Sequence, residues 1–233
     1  MKRRYSMKIT FIRHSCYTVE TDNYFLIFDY IGGKLQLPEN KISIFFVSHR
    51  HSDHFKKEIF NFNADHYIIS DDVDIKKAEN ITSVSPDNEL DLLGIKVKTH
   101  GSTDEGVSFY VNVDGTGIVH CGDLNYWIWP EYSKSDIENM DRWFKSEADK
   151  FKNENVFAIM LPVDPRLKDN YYLTCDYFLR TNSAKHYFPM HMWENYSISQ
   201  KLKNKYKNIY PQKIIHVIQK ENQIFEFQIK KEW

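Results

Sequence analysis

The chain has 233 residues, 42% of them hydrophobic and 15% aromatic, and a formal net charge of −1. That length buries a real core in one large domain or two small ones. The near-neutral charge, with no dense basic block beyond Lys2-Arg3-Arg4, argues against a nucleic-acid backbone as the main partner. No run approaches the roughly 18 apolar residues of a membrane span. Cys16, Cys121 and Cys175 are odd in number and lack a CxxC pair, so they read as small hydrophobes of a reducing compartment. Met1 to Met7 is basic but precedes no apolar signal core, so a cytoplasmic location is expected. No Pro-rich or Ser/Gly-rich linker interrupts the chain, and residues 1–233 are expected to form a single domain.

In chain order, Lys8 to Ile12 reads as a first strand and Cys16 to Glu20 as a second. A short turn at Thr21-Asp22-Asn23 leads to a third, Tyr24 to Asp29. Ile44 to Val47 is an apolar run that ends in Ser48-His49-Arg50-His51-Ser52-Asp53-His54-Phe55. Residues two apart on extended chain face the same way, so His49 and His51 can present their imidazoles together. Asp53 and His54 fall where the strand pattern gives way to a helical one, predicted from Phe55 to about Asn63, and turning chain there aims them back beside the first pair. Imidazole and carboxylate suit zinc, manganese, iron or nickel. Four such residues within six positions point to a metal site, expected to hold two ions.

His49-Arg50-His51-Ser52-Asp53-His54 matches the HxHxDH motif of the metallo-β-lactamase-fold hydrolases, and the chain resembles that family over nearly its whole length. The resemblance implies an α/β (α+β) fold: an αβ/βα four-layer sandwich, two mixed sheets face to face, helices outside and a metal site at one edge. It also implies hydrolysis of esters, lactones, thioesters or phosphodiesters. Beside the family's metals lies a small loop holding a His or Gly. His14 is accordingly either a substrate contact or a strand-end histidine bonded to backbone. Asp29 either orients a ligand histidine from behind, as similar family aspartates do, or is a simple turn residue.

Further along, His66 to Ser70 reads as a strand and Asp71 to Glu79 as a short acidic helix. Ile95 to Thr99 alternates like a half-buried strand and delivers His100, where the family places its third ligand histidine. The Gly101-Ser102-Thr103-Asp104-Glu105-Gly106 insert departs from the common form, so Ser102 or Asp104 could point inward instead. Val107 to Val111 is the next strand, and Asp114-Gly115 marks a hairpin into Ile118 to Asp123. Gly122-Asp123 at that strand end resembles the family's bridging carboxylate. Trp127 and Trp129 follow closely and could wall a substrate pocket or pack in the core. Glu131 to Asn153 carries the longest helical pattern, with room for a lid or a homo-oligomer contact.

Val156 to Val163 reads as a buried strand ahead of Asp164-Pro165-Arg166. Arg166 could clamp a substrate phosphate or carboxylate, or pair with Asp164. A helix ends with Tyr177 to Thr181. Lys185 to His191 is then a short strand whose terminal His191 matches the family's last ligand histidine. Glu194 to Lys207 is expected to be a basic helix, and Ile214 to Ile218 with Gln223 to Ile229 a closing hairpin. Two αβ lobes would divide near Trp127.

The resemblance thus implies one divalent metal on His49, His51 and His100, a second on Asp53, His54 and His191, and Asp123 bridging them, with zinc the leading choice. Asp53 would also take or relay a proton. His14-Ser15 before the second strand, Gly122-Asp123-Leu124-Asn125 and Pro189-Met190-His191 look most like the ascorbate-6-phosphate lactonase-like branch. The expected partner is a small-molecule substrate with an ester, lactone or phosphoester bond. The competing readings are a nuclease or cyclic-nucleotide phosphodiesterase, which predicts a basic channel, and a metal-binding sensor without turnover.

Overall fold

A computed structural model describes residues 4–230. The basic Lys2-Arg3 of the amino-terminal segment lies outside the described residues. Among the described residues, fourteen strands form two seven-stranded sheets. The first sheet uses β1 (Arg4–Arg13), β2 (Cys16–Glu20), β3 (Tyr24–Phe28), β4 (Ile42–Val47), β5 (His66–Ser70) and β6 (Ile81–Val84), with the last strand, β14 (Gln223–Lys230), beside β1. The second uses β7 (Glu89–Leu92), β8 (Ile95–Gly101), β9 (Val107–Val113), β10 (Thr116–His120), β11 (Val156–Pro162), β12 (His186–Met190) and β13 (Ile214–Ile215). Both sheets are mixed: β3 to β6 run parallel, as do β10 to β13, and the remaining pairs are antiparallel. This is the expected metallo-β-lactamase sandwich.

Strand parity builds the core. In β4, Ile44 and Phe46 join the large cluster between the sheets, while Phe45 and Val47 face the smaller outer cluster. Phe109 of β9 bridges the sheets, its ring 5.3 Å from Phe46 and 6.5 Å from Phe28. Over the second sheet lie α1 (Lys134–Ala148), α2 (Leu173–Thr181) and α3 (Ser197–Tyr206). α1 is shorter than its sequence pattern because Ser133 and Asp136 form a capping box that sets its start.

Four sequence expectations are corrected. The helix from Phe55 to Asn63 is only a 3-10 turn, Lys57–Asn61, whose Ile59 seals the outer face of the first sheet. Nine residues with two asparagines nucleate an α-helix poorly. The helix from Asp71 to Glu79 does not form, because its aspartates bond elsewhere: Asp71 accepts from Ser85 Oγ at 2.6 Å and Asp72 from the Arg50 amide at 3.0 Å. The closing hairpin does not form either. Ile214–Ile215 pairs with β12 in the second sheet, whereas β14 pairs with β1 in the first, leaning Phe225, Phe227 and Ile229 on the core. Finally, the chain changes sheets between β6 and β7 rather than near Trp127, which follows β10 in the middle of the second sheet.

Phe109→Ala should destabilise the fold by about 3–5 kcal/mol, because a large side chain is removed where neither sheet can close the gap. A urea titration followed by circular dichroism reads that loss directly.

Candidate metal centre

Five polar side chains sit just beyond the carboxyl ends of parallel strands. Asp29 follows β3, His49 follows β4, Asp123 follows β10, Asp164 follows β11 and His191 follows β12. In open parallel sheets that end is where ligands bind, and here both sheets aim it at one place. His14 comes from the β1–β2 turn, and the amide of His191 donates to its carbonyl at 3.1 Å.

Two groups of donors result. His14, Asp53, His54 and His191 form one, and His49, His51, Asp104 and Asp123 the other, with ligand atoms within 4.8 Å of one another in each. Asp123 faces both groups: Oδ1 lies 3.2 Å from His54 Nε2 and 3.5 Å from His191 Nε2, and Oδ2 lies 3.8 Å from His49 Nε2. Asp53 Oδ2 stands 3.3 Å from His14 Nε2 and 3.5 Å from His191 Nε2. The set fits divalent cations. The Nε2 atoms of His14, His49, His54 and His191 and Oδ1 of Asp123 are buried without a hydrogen-bond partner, a costly arrangement for polar atoms unless an ion takes them.

The opposite edges of the imidazoles are held. Buried Asp29 accepts from His54 Nδ1 at 2.7 Å, from the Ser48 amide at 2.8 Å and from Ser48 Oγ at 2.7 Å. Ser48 Oγ, its proton given to Asp29, accepts from His49 Nδ1 at 2.9 Å. One carboxylate thereby fixes the tautomers of two histidines, directing both Nε2 atoms at the centre. Of the two roles left open for Asp29, its bond to His54 matches the orienting one. Asp164 accepts from His191 Nδ1 at 2.9 Å in the same way. Asp164 had no such role in the sequence reading, although an apolar strand ending in an acid was the signal that marked Asp29 and Asp123.

Burial works against the Asp123 carboxylate, but the charges of His54 and His191 overcome it and hold its pKa well below the usual range. Asp53 is lowered similarly, burial being outweighed by the imidazoles of His14, His191 and His54 close beside it. Burial and the charge of His54 push His49 down to about 4. His191 rises to about 9, because Asp123, Asp164 and Asp53 outweigh its burial. The carboxylates keep their negative charge and the site attracts cations.

Two glycines allow the loops to close on the motif. At Gly106 (φ +66°) an added Cβ would stand 2.1 Å from the Ser48 carbonyl oxygen, and at Gly122 (φ +51°) 2.7 Å from Ser48 Cβ.

His100 is not brought to the centre. On β8 it shares a face with Lys96 and Lys98, its ring packs on Phe151 at 4.8 Å, and its Nδ1 faces Asp87 at 3.3 Å. Strand parity turns it away, and the Gly101–Gly106 insert supplies Asp104, whose Oδ2 is 3.6 Å from His51 Nδ1. His14 stands among the ligand atoms rather than only at the substrate side. His120 lies on the far face, donating from Nε2 to the Ser15 carbonyl at 2.9 Å and stacked on Phe28.

A cleft of about 660 Å³ opens onto both groups and is lined by Asp53, Asp123, Trp127, Trp129, Arg166 and Trp193 among others. Trp127 both packs on Trp129 and donates from Nε1 to the Asp123 carbonyl at 3.2 Å. Arg166 pairs with Asp164 through Nε and Nη2, yet still faces the cleft.

The family model described as "Beta-lactamase superfamily domain" matches residues 8–141. Among solved structures, the chain is similar to a metallo hydrolase from the hyperthermophilic archaeon Ignicoccus hospitalis (14% identity, 97% of this chain and 100% of that one, TM-score 0.65). It is similar to the metallo-β-lactamase fold protein YhfI from Bacillus subtilis (14% identity, 96% and 100%, TM-score 0.62). It also resembles an isothiocyanate hydrolase from Delia radicum gut bacteria (13% identity, 96% and 100%, TM-score 0.53). No curated protein sequence matches the chain. These matches do not single out the ascorbate-6-phosphate lactonase-like branch.

Asp29→Asn should lower metal affinity by about 10–100-fold, the usual consequence of disturbing a residue that orients a ligand imidazole, as competition with a chelator would show. Asp104→Ala should remove one ion from the purified protein while His100→Ala leaves the content unchanged. Elemental analysis giving the opposite pattern would return His100 to the ligand set.

Proposed function

The chain belongs to the β-lactamase superfamily, and from that premise we propose that it is a metal-dependent hydrolase of small anionic esters, lactones or phosphoesters. The observation that carries this reading is the convergence of partnerless buried donors on the floor of an open cleft. His14, Asp53, His54 and His191 would hold one divalent ion and His49, His51 and Asp104 the other, with Asp123 giving one oxygen to each. Zinc is the proposed ion, since the donors are imidazole and carboxylate. Such ions supply an activated water at neutral pH and polarise the bond to be cut.

The chain's own residues do the rest. Asp29 and Asp164 keep Nδ1 of His54 and His191 protonated, so that Nε2 stays free as a ligand. Asp53 lines the cleft as an ionised carboxylate that would relay the nucleophile's proton rather than keep it, because the imidazoles beside it hold its proton affinity low. Two divalent ions would carry four positive charges against the three carboxylates that ligate them, Asp53, Asp104 and Asp123, and an electron-rich substrate group would meet the ions themselves. Arg166 adds a guanidinium at the cleft wall, although Asp164 already takes two of its nitrogens.

The nuclease reading predicts a basic channel, yet of the described residues lining this cleft only Arg166 carries a permanent positive charge. The sensor reading is favoured by the displaced His100 but opposed by the open cleft and by Asp104 in its stead.

Screening the zinc- or manganese-loaded protein on ester, lactone and phosphoester substrates tests the proposal, and absence of turnover on all three would leave the sensor reading standing. With an active substrate in hand, Arg166→Lys should raise KM about tenfold with metal content unchanged, because the planar fork is lost while the charge remains. A variant that loses stability but keeps its activity per folded molecule would make Arg166 a structural partner of Asp164 alone.

A further inference from the structure

The cleft has a second character beside the metal centre. Trp143 on α1 and Trp193 after β12 are 47% and 46% exposed, and both line it, together with half-buried Trp129 and Tyr132. Soluble proteins rarely gather large aromatics on open surface without a ligand or partner to cover them. These rings are also held. Trp193 donates from Nε1 to Asp164 Oδ2 at 3.3 Å, and the Arg166 guanidinium lies 4.7 Å from its ring centroid and 5.5 Å from that of Trp129. Trp129 stacks on Trp127 with planes 4° apart. Trp193 lies 4.8 Å from His14, so the flat groups that line this cleft begin beside the metal centre.

The backbone adds an independent indication. His191, Trp193 and Glu194 all have left-handed φ, at 59°, 48° and 61°. Such conformations are strained for side-chain-bearing residues and cluster at ligand sites. At Trp193 that strain presents an indole to solvent rather than to the core.

Resting on the hydrolase reading, we infer that the substrate carries an aryl group, its ring against Trp193 and Trp143 and its acyl or phosphoryl group at the metal centre. A rigid aromatic wall rewards a flat partner, since stacking needs no ordering of flexible side chains. The volume of about 660 Å³ is in the range of small-molecule pockets and suits a one- or two-ring compound.

The test is calorimetric, so it does not depend on turnover. Benzoate, 1-naphthoate and acetate are titrated into the metal-loaded protein, and then into Trp143→Ala and Trp193→Phe. The aryl acids should bind at least about tenfold more tightly than acetate, a margin in keeping with aromatic stacking plus ring burial. Trp143→Ala, on an exposed helix position, should lose most of that margin, whereas Trp193→Phe, which keeps a ring, should retain most of it. Equal affinities for benzoate and acetate, or a margin untouched by Trp143→Ala, overturns the inference. Aryl selectivity without hydrolysis of any aryl ester, lactone or phosphoester would instead sink the hydrolase reading while leaving the aromatic subsite in place.

Discussion

A carboxylate taken wholly out of water stays ionised only if it is given hydrogen bonds, and Asp29 receives three, from one backbone amide, one hydroxyl and one imidazole. Those bonds decide the rest of the centre. They fix the turn after β4, set the protonation of His54 and, through Ser48, of His49, and leave the ligand nitrogens of both with nowhere to go but the cleft. Asp164 repeats the device in the other sheet, at the end of a strand that is also parallel to its neighbour, and holds His191. It adds Arg166 and Trp193 to the same carboxylate, so one group ties a ligand imidazole to the cleft wall. With Arg166 and His191 opposing its burial, Asp164 sits at about 2 and stays charged under any ordinary condition.

What could be read in the sequence was whatever strand periodicity and local spacing control. His49, His51, Asp53 and His54 are held together by six residues of chain, and Asp123 and His191 each end a strand marked by its apolar run. His100 failed for a reason that was present in the sequence. Lys96 and Lys98 mark the exposed parity of β8, and His100 shares it, while Thr99 is the buried neighbour. Asp104 could be named only as an alternative, because a five-residue reversal between Gly101 and Val107 has no period to follow. Trp193 left no local trace, since its position depends on Asp164 and Arg166, nearly thirty residues away. The helix expected from Asp71 to Glu79 failed because its aspartates found tertiary partners, a competition that propensity does not register.

Of the ten described non-glycine residues with left-handed φ, five lie at or beside the proposed centre. His14, Asp29, His191, Trp193 and Glu194 all adopt left-handed φ without being glycine. The core of the sandwich pays for them: Phe46, Phe109, Phe188 and their neighbours are fully buried in one continuous cluster. Rigid strands with strained loops at one end are a sound way to hold imidazoles within the narrow tolerances that a metal demands.

The return of β14 to the first sheet bears on how the protein is made. Tyr5 pairs with Ile229 and Phe11 with Gln223, so the edge of β1 is closed by residues more than two hundred positions later in the chain. During synthesis β1 must wait for nearly the whole polypeptide to emerge, its hydrogen-bonding groups open along one side. Such distant pairing slows folding, and an open edge of this kind is a template for pairing with another nascent chain. Lys8, opposite Glu226 on β14 and bonded to Glu20 on β2, places a charge in the middle of that edge. A lysine in the middle of an unpaired edge disfavours edge-to-edge association, and this one is in place before its own partner strand arrives.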